Sequence, residues 1–512
     1  MILAVLMLTI ALAACKKDAG TGTADSTGSN VTGEGGGEGG GSVSTDPSGN
    51  GIQYDENGFQ MDKLGKMDFG GKVLNVLTWS ELSYPEFDVA SDETNKTKLH
   101  EAVYIRDMKV KARMNLSFKY TYSSSDDGVY MTDALALATE NAVDLFAPYS
   151  RNAATLMVQG FTMDMSSLPH VDYTAPWWSQ NMIETASIYD RLYFVSGDIA
   201  PSLFGHTYMI FFNKKMAEQY LGEKLAEYGA ESLYDLANSG KWTLETMIEL
   251  SRGIGTEFSG SKDENDTYGF SIDPIYVDAF YPASNLKSLE RNPDTTLVIS
   301  DDMGSAKAHE LVKTLTDFFD TPDAICANDY GTPEQAAAIK AFKNGNALFH
   351  MTYANQAPSY SDLGLEFGLL PVPKYDEEQE SYISVSGFPF TMWSVSRNAF
   401  GILDAVGAGL ECMASEAYRT MSPAMYEDMF RLQSSEGLDE YNMWETIKKS
   451  MIIDAGRSFA TQFDNWTWQT FRIAVMKRTD YMSYYSGKKD GLNSSATTLN
   501  NIMYSIESVY GG

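Results

Sequence analysis

Nine residues of this chain place aromatic or polar side chains where apolar runs end or loops begin: Trp79, Tyr149, Arg151, Asp198, Tyr276, Asp278, Tyr353, Asn355 and Trp466. The five rings are flat apolar platforms, and the carboxylates, amide and guanidinium can each bond a pair of polar ligand groups. Binding pockets combine such an apolar lining with a few placed polar groups. The chemistry these residue types point to is therefore non-covalent recognition. Each also has an ordinary reading. Trp and Tyr are often core residues with one wet end, and Asp198, directly after Gly197, can close a turn. Trp177 and Trp178, after Pro176, read as structural.

Catalytic patterns are scarce. The histidines are His100, His170, His206, His309 and His350, and none forms a His-Glu-x-x-His pair or a Cys-His cluster. There is no Gly-x-Ser-x-Gly elbow and no Walker phosphate loop. The run Asp263-Glu-Asn-Asp-Thr-Tyr268 is superficially like a calcium loop, but Tyr268 stands where the sixth-position Gly is needed and Pro274 where the twelfth-position Glu is needed. It reads as a polar turn, and no metal or cofactor is expected. A glycoside hydrolase needs only two carboxylates at a fixed separation, so with 69 Asp plus Glu that alternative stays open.

Positioning such groups takes a large scaffold. At 512 residues the chain exceeds what one core serves, and 43% hydrophobic content is ample for two. The formal net charge of -31 argues against nucleic acid, which needs clustered cations, and fits an extracellular protein with a neutral or cationic ligand. Cys326 and Cys412 are too few for a disulfide framework and read as buried thiols.

In chain order, residues 2–12 form an apolar run of signal-peptide length, too short to span a bilayer. Residues 18–50 are Gly, Ser, Thr and acids, and cannot bury enough surface to offset their ordering entropy. The body opens with an apolar strand, 72–79, then a helix with Leu99, Val103, Val110 and Met114 on one face. A strand at 116–122, a helix around 131–139 and a strand at 143–147 follow. This β-α-β-α-β order predicts a parallel sheet, with ligands beyond its carboxyl ends near Trp79 and Tyr149. The strand-like run 207–213 reads as a crossing into a second lobe. Helices are expected from Thr243, as cap, and from Pro333 in the favoured first position. Strands at 346–353 and 365–373 complete the second lobe, and 386–396 returns to the first. Further helices are expected around 402–413, 426–432 and 443–453.

Several short motifs then line up. Leu12-Ala-Ala-Cys15 resembles a lipoprotein lipobox, although no basic residue precedes the apolar run. With Phe212-Asn-Lys214, Gly240-Lys-Trp-Thr243, Tyr268-Gly-Phe270 and Gly368-Leu-Leu-Pro-Val-Pro-Lys374, the chain resembles the extracellular solute-binding lipoproteins of ABC importers. The likeness is to their family 1, the carbohydrate-binding, maltose-binding-protein-like branch. Ser422-Pro-Ala-Met-Tyr-Glu-Asp428 and Ile447-Lys-Lys-Ser-Met-Ile-Ile-Asp454 resemble a block of clostridial members.

The resemblance implies an α/β, two-lobed periplasmic-binding-protein-like (Venus flytrap) fold, each lobe a mainly parallel sheet flanked by helices, with several hinge crossings. It implies a signal peptide at 1–14, a lipidated Cys15 and tether at 15–70, lobe one at 71–205 and 386–418, and lobe two at 206–385 and 419–512. Thr207 and Gly387 are the expected hinge positions, and the nine residues above the expected sugar contacts. Cys326 and Cys412 then fall in different lobes, where a bridge would oppose opening. The implied partners are a small solute, most simply a carbohydrate, and ABC permease subunits. The implied protein is a non-enzymatic monomer, held at the outer face of the bacterial cytoplasmic membrane through its lipid alone. A secreted glycoside hydrolase and a binder of peptide or another solute are the alternatives.

Overall fold

The computed structural model describes residues 44–45, 52–80, 87–94, 97–255, 260–430 and 437–510. The expected signal peptide, Cys15 and most of the expected tether lie outside them. The last stretch assigned to the tether, 52–70, belongs to the body instead. Asp62 is buried, forked by Arg113 at 2.8 and 2.6 Å, and donates its backbone N–H to Ser415. Phe59 packs edge-on against Tyr418 at 5.4 Å. A polar composition hid these anchors, because the few residues that make them are scattered.

The first sheet is built as its sequence alternation demands. It comprises β1 (Lys72–Trp79), α1 (Lys98–Met114), β2 (Leu116–Ser123), α2 (Asp127–Thr139), β3 (Leu145–Ala147) and α3 (Ser150–Val158). α1 starts where the Thr97 side chain accepts from His100 N and stops at Asn115, which takes the left-handed conformation. β2 and β3 flank β1 in parallel register.

The chain then passes His206 and Thr207 into β4 (Tyr208–Asn213). It continues through β5 (Tyr268–Ile272), α4 (Ala306–Phe319), β6 (Ala324–Ile325), α5 (Pro333–Lys343), β7 (Ala347–Tyr353) and β8 (Phe367–Leu370). The second sheet has the order β6-β5-β7-β4-β8. From β9 (Ser384–Val385) the chain returns to the first sheet as β10 (Ser394–Val395), giving that sheet the order β10-β3-β1-β2. Each sheet holds one reversed strand, β4 and β10, antiparallel to its neighbours. Both come straight out of a crossing. Parallel strands end at the edge of the sheet that faces the crossing, so a strand that starts there must run away from it.

The long α6 (Leu403–Phe430) lies along α1. It runs on past residue 418, where the first lobe was expected to end, and Asp428 near its far end still accepts from Leu99 N at 2.7 Å. α7 (Leu438–Lys449) returns to the edge of the second sheet at β8. β11 (Met451–Ile452) then pairs parallel with β9 and leads to α8 (Ala455–Ser458) and α9 (Trp466–Met476). Cys326 follows β6 and Cys412 sits in α6, both buried and unbridged, and burial pushes each thiol up to about 12. No helix among the described residues is long and apolar enough to cross a membrane.

Candidate functional site

Three passages of chain run side by side between the sheets. Thr207 bridges Ser386, Gly387 N donates to His206 O at 2.8 Å, and Ala354 N donates to Thr207 O at 3.0 Å. The third passage is β11, held against β9, followed by Ile453 and Asp454. Thr207 and Gly387, expected at separate crossings, are thus in one ribbon. His206 ties the passages together. Its Nδ1–H donates to Ser202 O at 3.0 Å and its Nε2 accepts from Asn355 Nδ2 at 3.2 Å. Desolvation lowers its ring to about 4, so it stays neutral.

Successive side chains of an extended strand face opposite ways. Thr207 turns its hydroxyl to Leu203 O at 3.0 Å and to Met451 Sδ at 3.5 Å. His206 and Tyr208 turn the other way, toward Tyr353. On that side the rings of Tyr208 and Tyr276 each stand 4.8 Å from that of Tyr353, and the Tyr353 hydroxyl donates to that of Tyr208 at 3.4 Å. Tyr353 is at the carboxyl end of β7 and Tyr208 at the start of its antiparallel neighbour, so strand register alone brings them opposite.

A charged group closes this cluster. Asp278 is buried between two guanidiniums: Arg457 Nη1 bonds one oxygen, and Arg472 Nε and Nη2 bond the other at 2.7 and 2.6 Å. Arg457 also donates to the Tyr208 hydroxyl at 3.2 Å and lies 4.0 Å above the Phe388 ring. From the first lobe, Tyr149 packs edge-on against Trp79 at 5.1 Å, and Arg151 in the first turn of α3 stands 5.5 Å from the same Phe388 ring. No group of three or more His, Cys, Asp or Glu among the described residues is arranged to hold a metal.

Rings and cations from both sheets and the helices beside them thus gather at the multiple crossing. A family model described as bacterial extracellular solute-binding protein matches residues 109–399, more than half of the chain. The chain belongs to the bacterial extracellular solute-binding proteins. That family consists of binding proteins, not enzymes.

Solved structures share the fold of this solute-binding protein at low identity. The galacto-N-biose-/lacto-N-biose I-binding protein of Bifidobacterium longum, in complex with lacto-N-biose, is 13% identical with a TM-score of 0.51. The match covers 85% of this chain and 98% of that one. The maltose-binding periplasmic protein MalE of Listeria monocytogenes, in complex with maltose, is 14% identical with a TM-score of 0.51, covering 86% and 99%. No curated protein matches this chain.

The nine expected contacts of this solute-binding protein do not stay together. Tyr353 and Tyr276 join the aromatic cluster, and Tyr149 and Arg151 stand on the first-lobe side. Trp79 is only 4% exposed and donates its indole N–H to Thr391 at 3.0 Å, so it supports Tyr149 from behind. Asp278 has both oxygens taken by arginines, and Asn355 is buried on His206 and Gln356. Trp466 has one face covered by Lys488, 3.6 Å from its centroid.

Asp198 stands apart from the aromatic cluster. It accepts from Ser422 and lies 3.7 Å from Lys448, in the wall of a cavity of about 590 Å³. Leu203 and Met451 line that cavity, on the side of the ribbon to which Thr207 points. Burial holds the Asp198 carboxyl above its usual range, against the pull of Lys448 and Ser422. Trp177 and Trp178 are structural as expected, both donating to buried Glu411.

Two contributors to the cluster went unnoticed in the sequence. Tyr208 opens the reversed strand, whereas ligands of a parallel sheet are expected at its carboxyl ends. Arg457 comes three residues after the quoted block that ends at Asp454, whose side chain caps α8 by accepting from Arg457 N at 2.9 Å. An acid that caps a helix and is followed three residues later by Arg was the available signal.

Proposed function

We propose that this chain is a lipid-anchored binding protein that captures a sugar or oligosaccharide between its lobes and hands it to the permease of an ABC importer. The observation that carries this reading is the convergence of Tyr208, Tyr276 and Tyr353 with Arg457, opposite Tyr149 and Arg151. Tyr149 lies within electrostatic reach of both Arg457 and Tyr208. Rings in this arrangement cover the C–H faces of a sugar while the tyrosine hydroxyls and guanidiniums bond its hydroxyl groups. The sugars in the neighbouring structures support the same ligand class.

Thr207 and Gly387, with the third passage at Ile453 and Asp454, serve as the hinge, and ligand contacts draw the lobes together across it. Cys15 is the lipidated residue, and the chain acts as a monomer at the outer face of the cytoplasmic membrane. Closure around the ligand changes the surface that both lobes present to the permease.

A panel of mono- and oligosaccharides in a thermal-shift assay tests this. Occupancy at a hundredfold excess over the dissociation constant adds about 2.7 kcal/mol of stability, so a bound sugar raises the melting temperature and stays intact. Released reducing ends would move the chain to the glycoside hydrolases. No shift with any sugar, and a shift with peptides, would replace the ligand class.

A further inference from the structure

The chain carries 31 net negative charges, yet the groups around Phe388 are cationic. We infer, building on the sugar-binding reading above, that the solute carries a carboxylate and that Arg151 and Arg457 receive it, so the ligand class is an acidic saccharide, a uronide. Two guanidiniums stand around one phenyl ring, Arg457 at 4.0 Å and Arg151 at 5.5 Å from its centroid. They come from different places: Arg151 from the first turn of α3 in the first lobe, Arg457 from α8 beyond the third passage. Among the described residues, the buried Nε–H groups of both have no acceptor. A buried guanidinium donor left unbonded costs more than its neutral counterpart would, and a carboxylate is the acceptor whose planar geometry matches it.

Asp278 is a single carboxylate shared by two arginines, Arg457 and Arg472. Asp454 also faces Arg457, its Oδ1 accepting from Arg457 N at 2.9 Å, and burial holds its carboxyl above the usual range. Arg151 has a neutral acceptor in Asn465 at 3.1 Å and a longer ion pair, 3.8 Å, to half-buried Asp127. The first turn of α3 adds the positive end of its helix dipole on the same side. In a chain with a net charge of -31, the unbonded Nε–H donors of Arg151 and Arg457 thus favour an anion, which reverses the expectation of a neutral or cationic ligand drawn from the net charge.

The test measures binding of three kinds of trisaccharide to the mature chain by titration calorimetry. They are galacturonate and glucuronate trimers, the same trimers fully methyl-esterified, and neutral galactose and glucose trimers. A uronate trimer should bind at least about tenfold tighter than its own ester and its neutral counterpart. Arg151→Gln, at a part-exposed position, should shrink that ratio to about threefold or less without moving the unliganded melting temperature. Esters or neutral trimers that bind as tightly as the acids would overturn the carboxylate assignment while leaving the sugar-binding reading intact. Binding of a diglutamate peptide but of none of the saccharides would overturn both.

Discussion

Replacing Gly387 by Ala tests the joint between the lobes most directly. A Cβ at this position would stand 2.5 Å from Cε1 and Cζ of Tyr353 and closer still to its hydroxyl. The backbone at Gly387 is outside the left-handed region, so alanine suits its conformation and the whole effect is steric. Tyr353 has little room to retreat, with the rings of Tyr208 and Tyr276 both 4.8 Å away. Overpacking of this kind costs about 1–3 kcal/mol. If the strain arises only when the lobes close on ligand, it is subtracted from binding and lowers affinity about 5- to 150-fold. If it is present in both arrangements, it lowers the melting temperature of the unliganded chain by a few degrees instead. Calorimetric titration with the best ligand of the panel, beside a thermal scan of the free chain, separates the two. Gly387→Val should show the same effect enlarged. Combining Gly387→Ala with Tyr353→Ala removes the obstructing ring, so the double variant should bind no worse than Tyr353→Ala alone. Affinity and melting temperature both unchanged in Gly387→Ala, or losses that simply add in the double variant, would refute the reasoning.

Asp278→Asn leaves Arg457 and Arg472 facing a neutral amide inside the protein, and breaking a buried pair in this way costs about 3–5 kcal/mol. The urea midpoint of the free chain should fall accordingly, and a midpoint that does not move rejects the structural role of this cluster. Glu411 accepts from Trp177 and Trp178 at 3.3 and 3.0 Å, and burial pushes its carboxyl up to about 7. An unfolded Glu ionises near 4.3, so between these values the folded chain keeps a proton that the unfolded chain has lost. Stability from this group is therefore full below about pH 4 and is lost as pH rises to about 7, on the order of 3 kcal/mol in total. Glu411→Gln should gain on its parent in melting temperature from pH 4 to pH 8; parallel curves would show that this carboxylate does not titrate there. Cys326 and Cys412 should resist iodoacetamide in the native chain and both react after denaturation without reductant. A denatured, unreduced chain that takes up no label would mean they are bridged.

Much of the scaffold was legible in the sequence because it rests on local rules. The apolar run of β1, the one-sided stripe Leu99, Val103, Val110 and Met114 of α1, the Thr243 cap and Pro333 at the head of α5 each follow from a few neighbouring residues. The site was legible only in part. Tyr149, Tyr276 and Tyr353 follow apolar strands closely enough for strand ends to locate them, and the crossing at Thr207 and Gly387 showed in the punctuation of the chain. The surroundings of Asp198 and Asn355 were not legible, because an acid after a turn and an amide after a strand look the same whether they face a ligand, a lysine or a histidine.

The sequence by itself determined the alternation of strands and helices, the apolar run at 2–12 ahead of Cys15, and the return of the late strands to the first sheet. These depend on period, composition and order, which are properties of short stretches. The tertiary structure alone decided which charges are buried and which rings meet. Arg106 falls among polar positions of α1, yet it is fully enclosed and donates to the carbonyl of Val89 and to Asp107. Asp278, Arg457 and Arg472 are separated by up to 194 positions and form one cluster. Whether a guanidinium meets water, a carboxylate or a ring depends on elements brought in from far along the chain, and the energy of burying it is settled only when they arrive.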